Sequence, residues 1–204
     1  MTDIAVVDYG MGNLRSVSKA LEHVAPGARV AVTSDPVVVR SATRVVFPGQ
    51  GAMPDCMREL NARNLRAAVI EAAETKPFLG ICIGLQMLFE WSEEGDVPGL
   101  GILPGKVRRF PQEAMLDATG GKLKVPHMGW NQVSQAAVHP LWSGIASDAR
   151  FYFVHSYFVE PRNPELVAGT SRYPFAFTCA VARENLCAVQ FHPEKSQAAG
   201  LTLL

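Results

Sequence analysis

The stretch Lys76-Pro-Phe-Leu-Gly-Ile-Cys-Ile-Gly-Leu-Gln-Met-Leu-Phe-Glu90 decides how the chain is read. Residues 78–81 are a short apolar run of the kind that forms a buried strand. Cys82 follows at once, then Gly84, then Leu85, Leu88 and Phe89 at spacings that put them on one face of a helix. Gly80-x-Cys82-x-Gly84 has the form of a nucleophile elbow with cysteine in place of serine. Small residues on both sides permit a sharp strand-to-helix turn. Such a turn lifts the sulfur to a helix N-terminus, where the helix dipole favours a thiolate. The competing reading is a free cysteine simply buried at a strand end.

Outward from this stretch, the first half alternates strands and helices. Residues 4–7 are apolar and run into the turn Asp8-Tyr-Gly-Met-Gly-Asn13. Leu14, Val17, Leu21 and Val24 then recur at helical spacing until Pro26-Gly27 stops them. Residues 29–33 predict a second strand, and Val45-Val46-Phe47 a third that ends in Pro48-Gly-Gln-Gly51. Met57, Leu60, Ala68, Val69 and Ala72 mark one helical region before the strand that leads to Cys82. This alternation predicts an α/β fold, a mostly parallel sheet flanked by helices. Ligands bind such sheets at the carboxyl ends of the strands, and three glycine-bearing turns fall at three such ends. Gly10-x-Gly12 is half of a dinucleotide fingerprint, but Arg15 stands where the third glycine belongs. Gly49, Gln50 and Gly51 are either a tight turn or backbone donors for an oxyanion beside Cys82. The N–H of Ile83, next after the nucleophile, is the second expected donor.

The second half is rich in β-forming runs, over residues 102–110, 122–125, 151–159, 166–170 and 179–191. Turns are expected at Pro104-Gly105, at Gly120-Gly121, across residues 161–164 and across residues 183–185. Some of these strands are expected to pair antiparallel, beside or extending the parallel sheet. No Ser/Gly linker separates the halves, so residues 1–204 read as a single domain.

A partner for Cys82 lies near the end. Residues 186–191 predict a strand, followed by His192-Pro193-Glu194. Proline pushes the preceding residue into extended geometry, where residues two apart face the same way. His192 and Glu194 are then placed to hydrogen-bond, as the base and orienting carboxylate of a triad. The alternatives are a surface turn or half of a metal site. A metal site needs further ligands at short spacing, and the sequence has none, so neither a metal nor another cofactor is expected. His23 and His139 lack motif context and read as structural or exposed.

Composition narrows the class. Nineteen basic residues balance nineteen acidic ones, and a nucleic-acid binder would show a basic excess. Four cysteines without a C-x-x-C pair read as free thiols in a reducing, cytoplasmic setting. No apolar run reaches membrane-spanning length, and the first residues have no signal-peptide pattern.

The Gly-x-Cys-x-Gly-x-Gln elbow with a late His-Pro-Glu resembles the class I, triad-type glutamine amidotransferases, a flavodoxin-like fold. Asp8-Tyr-Gly-Met-Gly-Asn13, His127-Met-Gly-Trp-Asn131, Phe151-Tyr-Phe-Val-His-Ser-Tyr157 and Phe191-His-Pro-Glu-Lys-Ser196 narrow the resemblance. They are similar to the glutaminase subunits of imidazole glycerol phosphate synthase, over essentially the whole chain. One departure is the end at Leu204, where family members usually continue through a longer helix. The resemblance implies that Cys82, His192 and Glu194 hydrolyse L-glutamine through a glutamyl thioester. It makes Gln86 and Glu94 substrate ligands, with the His155-Ser156-Tyr157 strand offering backbone contacts. It implies a separate (β/α)8-barrel cyclase as heterodimeric partner, which receives the ammonia and makes imidazole glycerol phosphate and aminoimidazole carboxamide ribotide. Asn13, His127, Met128, Trp130, Asn131 and Lys195 are expected to face that partner. A basic cluster of Lys106, Arg108, Arg109, Lys122 and Lys124 reads as a solvated face or a docking aid. Other readings are an amidotransferase serving a different synthase, a γ-glutamyl hydrolase or peptidase, and a regulatory subunit without chemistry. The intact Cys82, His192 and Glu194 weigh against the last.

Overall fold

A computed structural model describes residues 2–111, 113, 115–116 and 120–204. In chain order the elements begin β1 (Ile4–Val7), α1 (Leu14–Val24), β2 (Val30–Thr33), α2 (Pro36–Ser41), β3 (Arg44–Phe47), α3 (Met53–Ala62), α4 (Arg66–Thr75), β4 (Phe78–Ile81) and α5 (Ile83–Met87). They continue with β5 (Phe89–Ser92), β6 (Val97–Pro98), β7 (Leu103–Arg109), β8 (His127–Gln135), β9 (Ala149–His155), β10 (Tyr157–Pro161), β11 (Val167–Arg172), β12 (Ala176–Arg183), β13 (Leu186–Val189) and α6 (Gln197–Leu203).

The expected α/β architecture is present. Strands β2-β1-β3-β4-β13 pair in that order, every neighbour parallel. From β13 the sheet continues antiparallel through β12, β10 and β7, then adds β5 parallel to β7 and β6 antiparallel to β5. A further group, β11, β8 and β9, branches from β12. β1, between β2 and β3, is buried on both faces, which is why it reads as an unbroken Ile-Ala-Val-Val instead of an alternating pattern. Val7, Phe47 and Phe78 pack on one side with Val39, Leu60 and Val69 of α2, α3 and α4. Ile4, Val6 and Val189 pack on the other with Val17 and Leu21 of α1 and Leu203 of α6.

Local sequence explains several element boundaries. Asp35 caps α2 by accepting a hydrogen bond from Val37 N at 2.8 Å, with Pro36 at the first helical position. The single helical region expected over residues 57–72 is two helices, α3 and α4. Asn64, with φ of 58°, breaks them apart.

Other expectations are corrected. The helix after Cys82 ends at Met87, and Phe89, expected on its buried face, begins strand β5. Phe89 pairs with Leu103 of β7, so sheet pairing overrides a helical spacing of apolar residues. Residues 122–125 form no strand beyond an isolated bridge between Leu116 and Lys122. Pro104-Gly105 lies inside β7 instead of forming a turn, with Gly105 at φ of 135° against the backbone of Pro161. Residues 151–159 are two strands, broken at Ser156. There the chain passes from pairing with β8 to pairing with β7 and β12. His127-Met-Gly-Trp-Asn131 is the first half of β8. The basic cluster is interleaved with acids, because Arg108 lies 3.8 Å from Glu93 and 3.6 Å from Glu160.

Candidate active site

Cys82, His192, Glu194 and the turn at Gly49, Gln50 and Gly51 gather at the carboxyl ends of β3, β4 and β13. Cys82 follows the last residue of β4 with φ of 56° and ψ of −114°, a region a non-glycine residue enters only under constraint. Such a backbone costs about 1–3 kcal/mol and persists where surrounding structure enforces it. The enforcement is visible. Cys82 N donates to Val189 O of β13 at 2.8 Å, and a Cβ on Gly84 would meet Phe47 O at 1.9 Å. The turn thus clamps β4 between its neighbours while the sulfur faces a cavity.

That cavity measures about 330 Å³ and is lined by Gln50, Gly51, Cys82, Ile83, Gln86, Glu94, Pro126, Val154, His155, Ser156, Tyr157 and His192. It lies at the small end of the range of about 300–1,000 Å³ that holds small ligands. Gln50 and Gly51 of the turn after β3 reach it, whereas Gly49 lies behind, wedged between the Tyr9 hydroxyl and Ile83. Gly49 instead shares a small rear cleft with Asn13, His192 and Glu194. Ile83 is the first residue of α5, so its N–H has no acceptor within the helix.

His192 and Glu194 meet as expected, with Nδ1 2.8 Å from Oε1 and both side chains buried. His192 itself is extended, as expected before proline, with φ of −104° and ψ of 95°, but the segment does not stay extended. Residues Pro193–Lys195 form a 3-10 turn, held by Lys195 N on His192 O and by Ser196 Oγ donating to His192 O at 2.6 Å. Burial alone would lower the His192 pKa. The negative charge of Cys82 and the Glu194 carboxylate outweigh it and push the ring up to about 10. Its Nε2 is buried without a hydrogen bond of acceptable geometry, although the charge of Cys82 acts on the ring. The free face of the base is therefore the one available to a ligand in the cavity.

Gln86 sits one turn past Cys82. Its amide donates to Gln190 Oε1 at 2.9 Å and to Tyr157 O at 3.2 Å. Gln190 in turn donates to the Cys82 sulfur at 3.8 Å. Gln190 was not anticipated from the sequence. Its signal was a single polar side chain inside an otherwise apolar run, two residues before His192. Glu94 enters from the loop after β5 and accepts from Met53 N at 2.8 Å, while burial raises its pKa. His155 reaches the cavity with Ser156 and Tyr157, as expected.

The residues expected at a partner surface divide. Met128 and Trp130 point outward from β8, 66% and 41% exposed, and His127 and Asn131 point inward by strand alternation. Asn13 is exposed at the start of α1, and Lys195 is half-buried on the 3-10 turn. Among the described residues no group of His, Cys, Asp or Glu is spaced to hold a metal ion. No described helix is long and apolar enough to cross a membrane.

A strained cysteine at a strand-to-helix turn, beside a His–Glu pair and a small cavity, is the arrangement of a thiol nucleophile with its base. The chain belongs to the class I glutamine amidotransferases, whose family model matches residues 5–202. Its relatives within that class are imidazole glycerol phosphate synthase subunits HisH. The protein of that name from Thiobacillus denitrificans is 72% identical over 99% of this chain and 89% of its own length. Those from Nitrosospira multiformis and Aromatoleum aromaticum are 72% and 69% identical, each over all of this chain and 96% of theirs. Solved structures share the fold at low identity. A crystal structure of a glutamine amidotransferase superposes with a TM-score of 0.70 at 15% identity, over 97% of this chain and 94% of that one. A putative GMP synthase subunit from Thermoplasma acidophilum gives 0.69 at 18%, over 99% and 90%.

Proposed function

We propose that this chain is the glutaminase subunit of an imidazole glycerol phosphate synthase. It hydrolyses L-glutamine to glutamate and ammonia and hands the ammonia to a cyclase partner, a step of histidine biosynthesis. The observation that carries the chemistry is the constrained Cys82 turn sharing one cavity with the His192–Glu194 pair, 2.8 Å apart.

The steps follow from the charges. The Cys82 sulfur attacks the side-chain amide carbon of glutamine. The oxyanion that forms is stabilised by backbone N–H groups of Ile83 and of the turn at Gly49, Gln50 and Gly51. His192, protonated at rest, gives its proton to the departing ammonia. Neutral His192 then takes a proton from water, which hydrolyses the glutamyl thioester to glutamate and frees Cys82. Glu194 holds the imidazole in orientation and stabilises its cation throughout. Gln86 presents its carbonyl oxygen to the substrate, since its amide nitrogen is already engaged. Glu94 faces the substrate α-amino group, and residues 155–157 meet its α-carboxylate end.

Residues 1–204 form one catalytic domain, and the acceptor chemistry belongs to a partner subunit, a reading supported by the relatives named as subunits of a synthase. The partner is a (β/α)8-barrel cyclase that binds as a heterodimer and makes imidazole glycerol phosphate and aminoimidazole carboxamide ribotide. Met128 and Trp130 on β8, with Asn13 and Lys195, form the docking side, His127 and Asn131 lying beneath it. The setting is cytoplasmic, and neither nucleic acid nor a cofactor takes part. Mass spectrometry after treatment with a glutamine-analogue electrophile tests the nucleophile. A single adduct on Cys82, suppressed by glutamine, is expected. Modification of Cys56, Cys179 or Cys187 in its place would contradict the assignment.

A further inference from the structure

Two histidines that the mechanism above leaves without a chemical role are joined to the cavity by hydrogen bonds of determined direction. His155 Nδ1 lies 2.7 Å from the carbonyl oxygen of Tyr157. An oxygen acceptor requires that Nδ1 carry the proton. Burial drives His155 down to about 3, within an aromatic cage whose Phe110 and Phe177 ring centres are each 5.3 Å away, so the ring is neutral. A neutral ring protonated at Nδ1 has a bare Nε2. His127 Nδ1 lies 2.9 Å from it and must therefore donate. Burial likewise lowers His127, to about 4. Its own Nε2 is then an acceptor, and Asn131 Nδ2 lies 3.2 Å from it. Every proton in the chain is thus placed by one backbone carbonyl.

That carbonyl also accepts from Gln86, whose amide leads on through Gln190 to the Cys82 sulfur. At the other end, His127 and Asn131 lie on the inner face of the strand whose outer face carries Met128 and Trp130. His127 is wedged between Tyr173, stacked at 4.1 Å, and Phe153 at 4.9 Å, so a shift of β8 moves its ring.

We infer that His127 and His155 are positioning residues, a tautomer-locked relay that fixes the Tyr157 carbonyl and through it Gln86, tying glutamine binding to the placement of β8. The inference rests on the glutaminase reading for its consequence, but the proton positions do not. In water the neutral imidazole prefers the Nε2–H form. The relay demands Nδ1–H on both rings.

The test has two arms. Nitrogen-15 spectra of the histidine-labelled full chain at neutral pH are expected to show both rings as Nδ1–H tautomers. Either ring as Nε2–H or as imidazolium overturns the relay, whether or not the protein hydrolyses glutamine. In the assembled two-subunit enzyme, His127→Phe keeps the stacking and removes the donor. It is expected to raise the KM for glutamine about 10–100-fold, the effect of one buried acceptor left unpaired. His127→Gln keeps a donor and should restore most of the affinity. Equal loss in both variants, or a wild-type KM in His127→Phe, contradicts the inference. Failure of the wild-type enzyme to use glutamine would instead sink the glutaminase reading, with the tautomers still deciding the relay.

Discussion

At the scale of single residues, the site depends on how one histidine is charged. His192 is held protonated, because the charges of Cys82 and Glu194 outweigh the burial that would lower its pKa. Glu194→Gln keeps the size and removes the charge. It also offers a donor where the ring needs an acceptor, and kcat for glutamine hydrolysis is expected to fall about 10²–10⁴-fold with KM little changed. A rate within threefold of wild type in a steady-state assay would remove Glu194 from the mechanism. The residues that carry this pairing were legible in the sequence, because their types and order are themselves chemical. The 3-10 turn that brings His192 and Glu194 together was not. A proline after histidine fits either an extended segment or a tight turn, and the choice is made by Ser196, which bonds both His192 O and Tyr152 N. Gln190 and the His127–His155 pair were invisible as a network for a similar reason. Hydrogen bonds between residues 28, 104 and 108 positions apart are created by the fold and leave no local spacing to read.

At the scale of elements, the elbow works because it is trapped. β4 lies between β3 and β13, and the turn has no room to relax toward either. Gly84→Ala puts a methyl within bonding distance of the Phe47 carbonyl, so the turn or β3 must move. A loss of about 3 kcal/mol or more in urea unfolding is expected, at the upper end of overpacking costs. A variant as stable as wild type would mean that the turn has room to yield. The same strand order explains what sequence periodicity misjudged. Phe89 fits a helical face equally well, yet β7 offers it a parallel partner, and the pairing ends the helix after five residues. Strand β8 shows the converse case. Its outward Met128 and Trp130 are large, apolar and exposed, a pattern that suits a buried contact with another chain. Trp130→Ala is expected to weaken cyclase binding about 10–100-fold in calorimetric titration. Unchanged affinity would move the docking side elsewhere.

At the scale of the whole molecule, buried histidines give stability an opposite dependence on either side of neutrality. An unfolded histidine titrates near 6.5. His127 and His155 are lowered by burial to about 4 and about 3, so unfolding takes up protons below 6.5. Their contribution is whole above that pH and is lost as the pH falls toward 4 and 3. His192 is raised to about 10, so its contribution is whole below 6.5 and fades as the pH rises toward 10. The histidine part of the stability therefore peaks near pH 6.5. Urea unfolding across pH 4–6.5 is expected to show the acid limb. His127→Phe should flatten it. Stability that stays constant as the pH falls from 6.5 to 4 in the wild type would contradict the neutral state of the two buried histidines.

The alternation of strands and helices in the first half made the parallel sheet legible, since each crossover needs a helix of its own. The second half was harder, because antiparallel strands join through short turns in several possible orders. Ser156 shows the limit, as one residue in an unbroken β-forming run redirects the chain to different partners. What links the two halves is the cavity, into which the parallel half brings Cys82 and His192 and the antiparallel half brings residues 155–157.

The central claim is that Cys82 releases ammonia from glutamine for use by another subunit. It is tested most directly by comparing nitrogen sources in the assembled enzyme with and without the Cys82→Ala substitution. The wild type is expected to form imidazole glycerol phosphate from either glutamine or ammonium. Cys82→Ala is expected to form it at an undiminished rate from ammonium and not from glutamine. Product formation from glutamine by Cys82→Ala would contradict the account.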